Sequence, residues 1–312
     1  MSAEKPHCTV DALAKINLTL EVLGRRPDGY HDLRSVVVPL ALSDRVSLTL
    51  TGHAVELSVT AAPGISLERL GPPQDNLAVR AAKLIQARFG VPEGVRIDIL
   101  KQIPIGGGLG GGSADAAAVL AGLNQLCGLG QSAAVLKELG ATLGSDVPAL
   151  LHGGAVCMEG RGERVRPLLD KGVAKAPGFW VVVANPGICV PTCDAYRHCS
   201  NRAGLTGSPE IFNNMTSSVR SGDVQGAASA LFNGLENGVF AAYPETARLA
   251  ARLKDAGSLG VLLSGSGASV FALVRDAAQG EAVRRHLGAG IWNVLTKTLP
   301  DGVMAAHGPL EP

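Results

Sequence analysis

Pro104-Ile105-Gly106-Gly107-Gly108-Leu109-Gly110-Gly111-Gly112-Ser113-Ala114-Asp115 is the stretch on which the reading of this chain turns. Six glycines surround one leucine, so the run carries almost no side chain with which to fill a core. It presents bare backbone, whose N–H groups a bulky anion can reach without meeting a Cβ. Just upstream, Val95-Arg96-Ile97-Asp98-Ile99-Leu100 alternates as a strand does. Just downstream, within Ala116 to Cys127, Ala117, Val119, Leu120 and Leu123 recur at helical spacing. Ser113 is the expected N-cap, with Asp115 in the first turn. A glycine loop emptying into a helix N-terminus gathers orphan donors and the positive end of the macrodipole, which is a phosphate site. A flexible linker would not be flanked by a strand and a clean helix.

Three common nucleotide loops fit poorly. Gly106, Gly108 and Gly111 satisfy G-x-G-x-x-G, but no Asp or Glu stands between Asp115 and Glu138, where a dinucleotide fold places an acidic residue. A P-loop needs Lys-Ser or Lys-Thr after its last glycine, and this loop has no lysine. Neither H-R-D nor D-F-G occurs anywhere, which removes the protein kinases.

Composition sets the outer bounds. With 312 residues the chain has room for two cores. Charged residues make up 18% and the formal net charge is +1, so nothing suggests bulk attraction to nucleic acid or a membrane surface. Aromatics, at 4%, are too few for a base-stacking nucleic-acid platform. Apolar runs fall short of a bilayer span and the N-terminus lacks a signal-peptide core, so a cytoplasmic protein is expected. Of the six cysteines, Cys189, Cys193 and Cys199 cluster with His198. That spacing is not a standard zinc pattern, so isolated reduced thiols are expected.

The glycine stretch, Pro104 to Ala117, resembles the phosphate-binding motif of the GHMP kinases, which phosphorylate small molecules such as homoserine and mevalonate. Within that family it is most similar to the branch acting on a cytidine-diphosphate-linked methylerythritol in the non-mevalonate isoprenoid pathway. Supporting segments run from Ala14 to Phe271. Ala14-Lys15-Ile16-Asn17 sits in an apolar strand, Val10 to Val22. By pattern alone Lys15 and Asn17 are solvent-facing edge positions; the resemblance places them at the transfer site. Pro27-Asp28-Gly29 is a turn by its own chemistry. In Asp28-Gly29-Tyr30-His31 the resemblance implies that Tyr30 stacks on cytosine and His31 hydrogen-bonds it. Thr142-Leu143-Gly144-Ser145-Asp146-Val147-Pro148 carries a helix-start signature, so Asp146 is a cap by pattern and the catalytic base by resemblance. Val190-Pro191-Thr192-Cys193-Asp194-Ala195-Tyr196 matches a substrate-side segment. There Thr192 bonds the substrate and Tyr196, where the family has phenylalanine, gives the base its other face. Gly265-Ser266-Gly267-Ala268-Ser269 resembles the third motif, which closes over the phosphates.

The remaining expectations follow in order. Asp75 caps a helix beginning near Asn76-Leu77, and a second helix covers Ala133 to Leu139. Gly153 to Leu168 forms a hairpin, and helices occupy 217–234 and 245–256. The resemblance implies an α+β fold of two units, 1–168 for ATP with a left-handed crossover and 169–312 ferredoxin-like. It further implies ATP with Mg2+, whose ligands are left open, and a cytidine-diphosphate acceptor, in a monomer or homodimer. Lys15 and Asp146 become the catalytic pair. Asn76, Lys101, Pro104, Gly106, Gly107, Gly108, Leu109, Gly110, Gly111, Gly112 and Ser113 face ATP. Asn17, Tyr30, His31, Thr192, Tyr196, Gly265 and Ser266 face the acceptor. Another GHMP substrate, or a nucleotide-binding regulator without chemistry, stays open.

Overall fold

A computed structural model describes residues 6–52, 54–91, 94–169, 176–199, 206–302 and 306–307. The chain opens as a long ribbon of two strands, β1 (His7–Arg25) and β2 (His31–Thr51). Asp28 closes its turn by accepting the Tyr30 N–H at 3.1 Å, and Gly29 takes the positive φ (86°) that the reversal needs. The stretches Val36–Leu42 and Val46–Leu50, expected as separate strands, are one 21-residue strand, because Ser43-Asp44 stays in register with Leu13 and Ala12. Register shifts near Lys15, Asn17 and Val22 bend the ribbon, as bulges do beside functional sites.

β3 (Glu56–Ala61), α1 (Leu77–Phe89) and β4 (Gly94–Lys101) form a crossover unit whose strands pair in parallel. The cap of α1 is Asn76, not the expected Asp75: its side chain accepts the Ala78 N–H at 2.9 Å. Asp75 falls one position early, in a single 3₁₀ turn. Then come α2 (Gly111–Leu126), α3 (Ala133–Leu143, longer than expected), α4 (Val147–His152) and the expected hairpin β5 (Val156–Gly160) with β6 (Arg164–Pro167). The N-cap of α2 is Gly110 rather than Ser113, so Asp115 lies beyond the first turn. Helix α2 is alanine-rich because it presses close to the ribbon. A Cβ on Gly122 would stand 2.6 Å from Leu48 Cδ1, and Ala114 and Ala116 to Ala118 are buried.

The second half contains β7 (Trp180–Asn185), α5 (Thr192–Cys199), α6 (Pro209–Ser221), α7 (Val224–Ser229), β8 (Phe232–Asn233), α8 (Glu236–Ala242), α9 (Pro244–Asp255), β9 (Gly260–Leu263), β10 (Val270–Val274), α10 (Ala277–Leu287), β11 (Trp292–Lys297) and β12 (Ala306–His307). The helix expected over 217–234 is in fact broken. Gly222 ends α6 at φ 74°, Asp223 caps α7 through the Gln225 and Gly226 N–H groups, and Phe232 and Asn233 join β1 as a short parallel strand. The helix expected over 245–256 is α9. Strands β11-β7-β10-β9 make an antiparallel four-stranded sheet in the ferredoxin-like order. The expected α+β architecture is present.

Burial falls into three main layers. Val10, Val46, Leu48, Ile97 and Ile99 pack beneath α1 and α2. The bent part of the ribbon, with Ile16, Leu18, Val36, Val38 and Leu40, packs on Val181, Val183, Phe271 and Leu273 of the second sheet. A third cluster joins the far face of that sheet to α9 and α10. The ribbon is therefore buried on both sides where it carries Lys15 and Asn17, and both polar side chains must find partners.

Candidate active site

The partners are local and specific. Lys15 Nζ donates to Asn17 Oδ1 at 2.7 Å, Asn17 Nδ2 donates to Ser35 Oγ at 2.8 Å, and Ser35 Oγ donates to the Thr19 carbonyl at 2.5 Å. Lys15 also pairs with Asp146 Oδ2 at 3.4 Å; the lysine side chain is 5% exposed and the aspartate 28%. Asp146 stands at the N-cap position of α4, yet its side chain caps nothing. The carboxylate is thus free of the role that pattern alone gives it, and lies on a wall of the cavity.

That cavity, about 1000 Å³, runs between the glycine loop, the turn end of the ribbon, α5 and the loop after β9. The glycine loop is stitched to the protein by its carbonyls. Leu109 O accepts from Lys15 N at 2.9 Å, Gly107 O from Ser269 N at 3.0 Å, and Gly108 O from Ser264 Oγ at 3.1 Å. In a trans peptide the next N–H points oppositely, so the N–H groups of Gly108, Leu109 and Gly110 turn away from those anchors. The first helical bond of α2 is Ala114 N to Gly110 O, at 2.8 Å. The N–H groups of Gly111, Gly112 and Ser113 precede it and have no partner within the helix. Backbone donors and a helix N-terminus thus line one end of the cavity.

Gly108 has a packing duty besides the one its motif suggests. Its φ is 74°, and a Cβ there would strike Ser264 O and come within 2.8 Å of Gly267 N. The residue is a joint between the two small-residue loops. Gly112 is the open one, since a Cβ added there meets nothing within 4 Å.

The structure brings together nearly all the residues expected from sequence: Lys15, Asn17, Tyr30, His31, Asn76, Pro104 to Ser113, Asp146, Thr192, Tyr196, Gly265 and Ser266 line the one cavity. Thr192 Oγ1 lies 3.3 Å from Ser266 Oγ. The aromatic arrangement differs from expectation. The His31 ring itself stacks on Tyr196, centroids 5.1 Å apart and 18° from parallel. Tyr30 is 56% exposed and carries the Arg161 guanidinium over its ring at 5.0 Å. Burial lowers the His31 pKa, and the charge of Arg25 lowers it further.

Lys101 reaches the cavity wall, but its ammonium is committed below it. It pairs with Asp44 and, at 2.7 Å, with Asp115 Oδ2, all three groups being buried. Asp44 Oδ1 also accepts the Gln102 and Ile103 N–H groups at 2.6 and 2.9 Å. The cluster pins the end of β4 to α2. Burial pushes the Asp115 carboxyl up to about 7, against the pull of Lys101, and its Oδ1 has no hydrogen-bond partner. Burial alone would lower the Lys101 pKa; the two carboxylates outweigh it and raise it. Asp44 was missed by sequence reading, and its sole signal is a polar Ser-Asp pair interrupting an apolar run. Among the described residues no three His, Cys, Asp or Glu side chains converge as a metal cluster. The Cys199 side chain lies outside the described residues.

Fold, stitched glycine loop and the lysine–aspartate pair on the cavity wall together define a GHMP kinase. Residues 76–154 match the GHMP kinases N terminal domain and residues 215–290 the GHMP kinases C terminal family. The 4-diphosphocytidyl-2-C-methyl-D-erythritol kinase of Bacillus cytotoxicus is 42% identical over 267 residues, 85% of this chain and 87% of that protein. Its Bacillus cereus counterpart is 41% identical over 266 residues, with the same shares covered. A crystal structure of 4-(cytidine 5'-diphospho)-2C-methyl-D-erythritol kinase superposes with TM-score 0.74 at 34% identity, covering 93% of this chain and 98% of that one. The homoserine kinase of Cytophaga hutchinsonii shares the fold at TM-score 0.70 and 18% identity, over 96% of each chain. This chain belongs to the 4-diphosphocytidyl-2-C-methyl-D-erythritol kinase family. It is an ATP-dependent small-molecule kinase.

Proposed function

We propose that this chain transfers the γ-phosphoryl of ATP to the 2-hydroxyl of 4-diphosphocytidyl-2-C-methyl-D-erythritol, in isoprenoid precursor synthesis. The observation that carries the reading is the Lys15–Asp146 pair at 3.4 Å, set between a donor-rich glycine loop and the aromatic end of the ribbon. The Gly111 to Ser113 N–H groups and the dipole of α2 hold the triphosphate. Asp146 Oδ2 accepts the proton of the attacking hydroxyl. Lys15, fixed by Asn17, orients that carboxylate and offsets charge gathering on the phosphoryl oxygens in flight. Gly265 and Ser266 close the same wall, and Thr192 with Tyr196 and His31 holds the acceptor.

Magnesium fits this donor set. The cavity offers the partly exposed Asp146 carboxylate and the Ser113 hydroxyl, enough for a cation that takes its other ligands from phosphates and water. Bound there, it would neutralise triphosphate charge. We place the functional division at 168/169. A single chain lines the whole cavity, so a monomer suffices and a homodimer is compatible. Among the described residues no helix is long and apolar enough to cross a membrane, which supports a cytoplasmic location.

The test is a panel of acceptors with ATP and the purified chain: the cytidine-diphosphate polyol, mevalonate and homoserine. Turnover should be confined to the first. Faster turnover of either other acceptor refutes the substrate reading. ATP binding without turnover of any acceptor supports a regulator instead.

A further inference from the structure

We infer that Arg161 is the acceptor's diphosphate-binding cation and so sets acceptor specificity; this rests on the reading just proposed. Five basic side chains line the cavity: Lys15, Arg25, Lys101, Arg161 and Arg197. Three are occupied. Lys15 is held by Asn17 and Asp146, Lys101 by two buried carboxylates, and Arg197 by Asp194 at 2.8 Å. Among the described residues Arg25 and Arg161 make no salt bridge. Asp28 feels the charge of Arg161, but its carboxylate is already engaged by Arg26 at 3.1 Å and by the Tyr30 N–H.

Arg161 is the better placed of the two. Arg25 is exposed at the turn end of the ribbon, paired across it with His31, whereas Arg161 is half-buried at the tip of the β5–β6 hairpin. That tip is rigidly built. Its Arg161 N–H donates to Glu163 Oε2 at 2.7 Å, and Gly160 and Gly162 both take positive φ. A Cβ on Gly162 would stand 2.8 Å from Ser145 O, so the hairpin tip rests directly on the residue preceding Asp146. The guanidinium covers the Tyr30 ring at 5.0 Å, on a tip whose backbone rests on the segment carrying the catalytic carboxylate, and both line the same cavity. An acceptor whose base sits at the aromatic end and whose hydroxyl meets Asp146 must lay its diphosphate between those points. The ATP phosphates have the backbone donors of the glycine loop; the second diphosphate has none of those left. A planar fork of N–H donors matches phosphate oxygens in geometry and charge.

The experiment measures equilibrium binding of CDP, cytidine and ADP to the full chain, wild type, Arg161→Gln and Arg161→Lys, with thermal unfolding of each as a folding check. Arg161→Gln should weaken CDP about ten- to a hundredfold, the scale of a charged hydrogen bond. Cytidine and ADP should stay within about twofold, and Arg161→Lys should recover part of the CDP loss. Equal weakening of CDP and cytidine would overturn the inference, because Arg161 would then act through Tyr30 on the base. Unchanged CDP binding would overturn it too. Wild-type protein that binds neither CDP nor cytidine would instead overturn the acceptor reading itself, and this inference with it.

Discussion

Replacing Gly112 with alanine separates a phosphate seat from a packing joint. Gly112 is the second residue of α2, lines the cavity and lies outside the positive-φ region, and an added Cβ would meet nothing within 4 Å. For the unliganded fold the change is neutral or favourable, since alanine is better than glycine in a helix by up to about 1 kcal/mol. For a bound triphosphate it is adverse. A phosphate oxygen accepting from a backbone N–H sits about 2.9 Å from the nitrogen, and a Cβ two bonds from that nitrogen crowds it. Hydrogen bonds to charged groups are worth about 1.5–3 kcal/mol, so losing one weakens ATP roughly 10- to 150-fold. Calorimetric titration with ATP and thermal unfolding on the same preparation read both quantities. Gly112→Ala should unfold at or above the wild-type temperature while binding ATP more weakly by that factor. Gly108→Ala should lose stability and ATP together, because its Cβ meets the Ser264–Gly267 loop. If Gly112→Ala binds ATP as tightly as wild type, the α2 N-terminus does not hold the phosphates and the reasoning fails.

Asp146→Asn should lower kcat at least about 100-fold while the chain still folds, since the side chain makes no capping bond and Lys15 keeps Asn17 as a partner; near-normal kcat removes the base assignment. Tyr196→Ala should cost about 1–3 kcal/mol of affinity for the cytidine ligand, one aromatic stack, and leave ADP binding alone. Loss of ADP binding with cytidine intact would reverse the two pockets. Asp115 holds its proton more tightly in the folded protein, at about 7, than in the unfolded chain, near 3.9. The cost of ionising it therefore grows as pH rises from about 4 through 7. Urea unfolding from pH 5 to 8 should show wild type losing stability relative to Asp115→Asn, and a pH-independent difference would refute the assignment.

Most of this site was legible because its chemistry is concentrated in short segments: glycine loop, Lys15-Ile16-Asn17, Asp146-Val147-Pro148. What escaped depended on long-range contact. Ser113 looks like the better cap than Gly110, but the loop enters α2 through a left-handed glycine at φ 74°, which a sequence pattern does not reveal. Lys101 stands beside the glycine loop in sequence; that two carboxylates, 57 and 14 positions away, capture it is a fact of packing. The resemblance pairs Tyr30 with Tyr196 across the base; in the structure it is the neighbouring His31 whose ring stacks on Tyr196, a contact that sequence spacing does not show. The helix expected over 217–234 stops because Gly222 takes φ 74° as a left-handed C-cap and Asp223 starts the next helix, a stop that apolar spacing alone passes over.

The ribbon of β1 and β2 carries Lys15 and Asn17 at its buried middle and Tyr30 and His31 at its turn. On the function proposed above, reaction and recognition are thereby written at different addresses on one continuous element. The middle is clamped on both faces and tolerates little rewriting. The turn end, residues 27–30, meets solvent and should accept side-chain exchange without moving the lysine. A scaffold organised in this way leaves room to change clients while keeping its trade; a homoserine kinase and a mevalonate kinase share the fold.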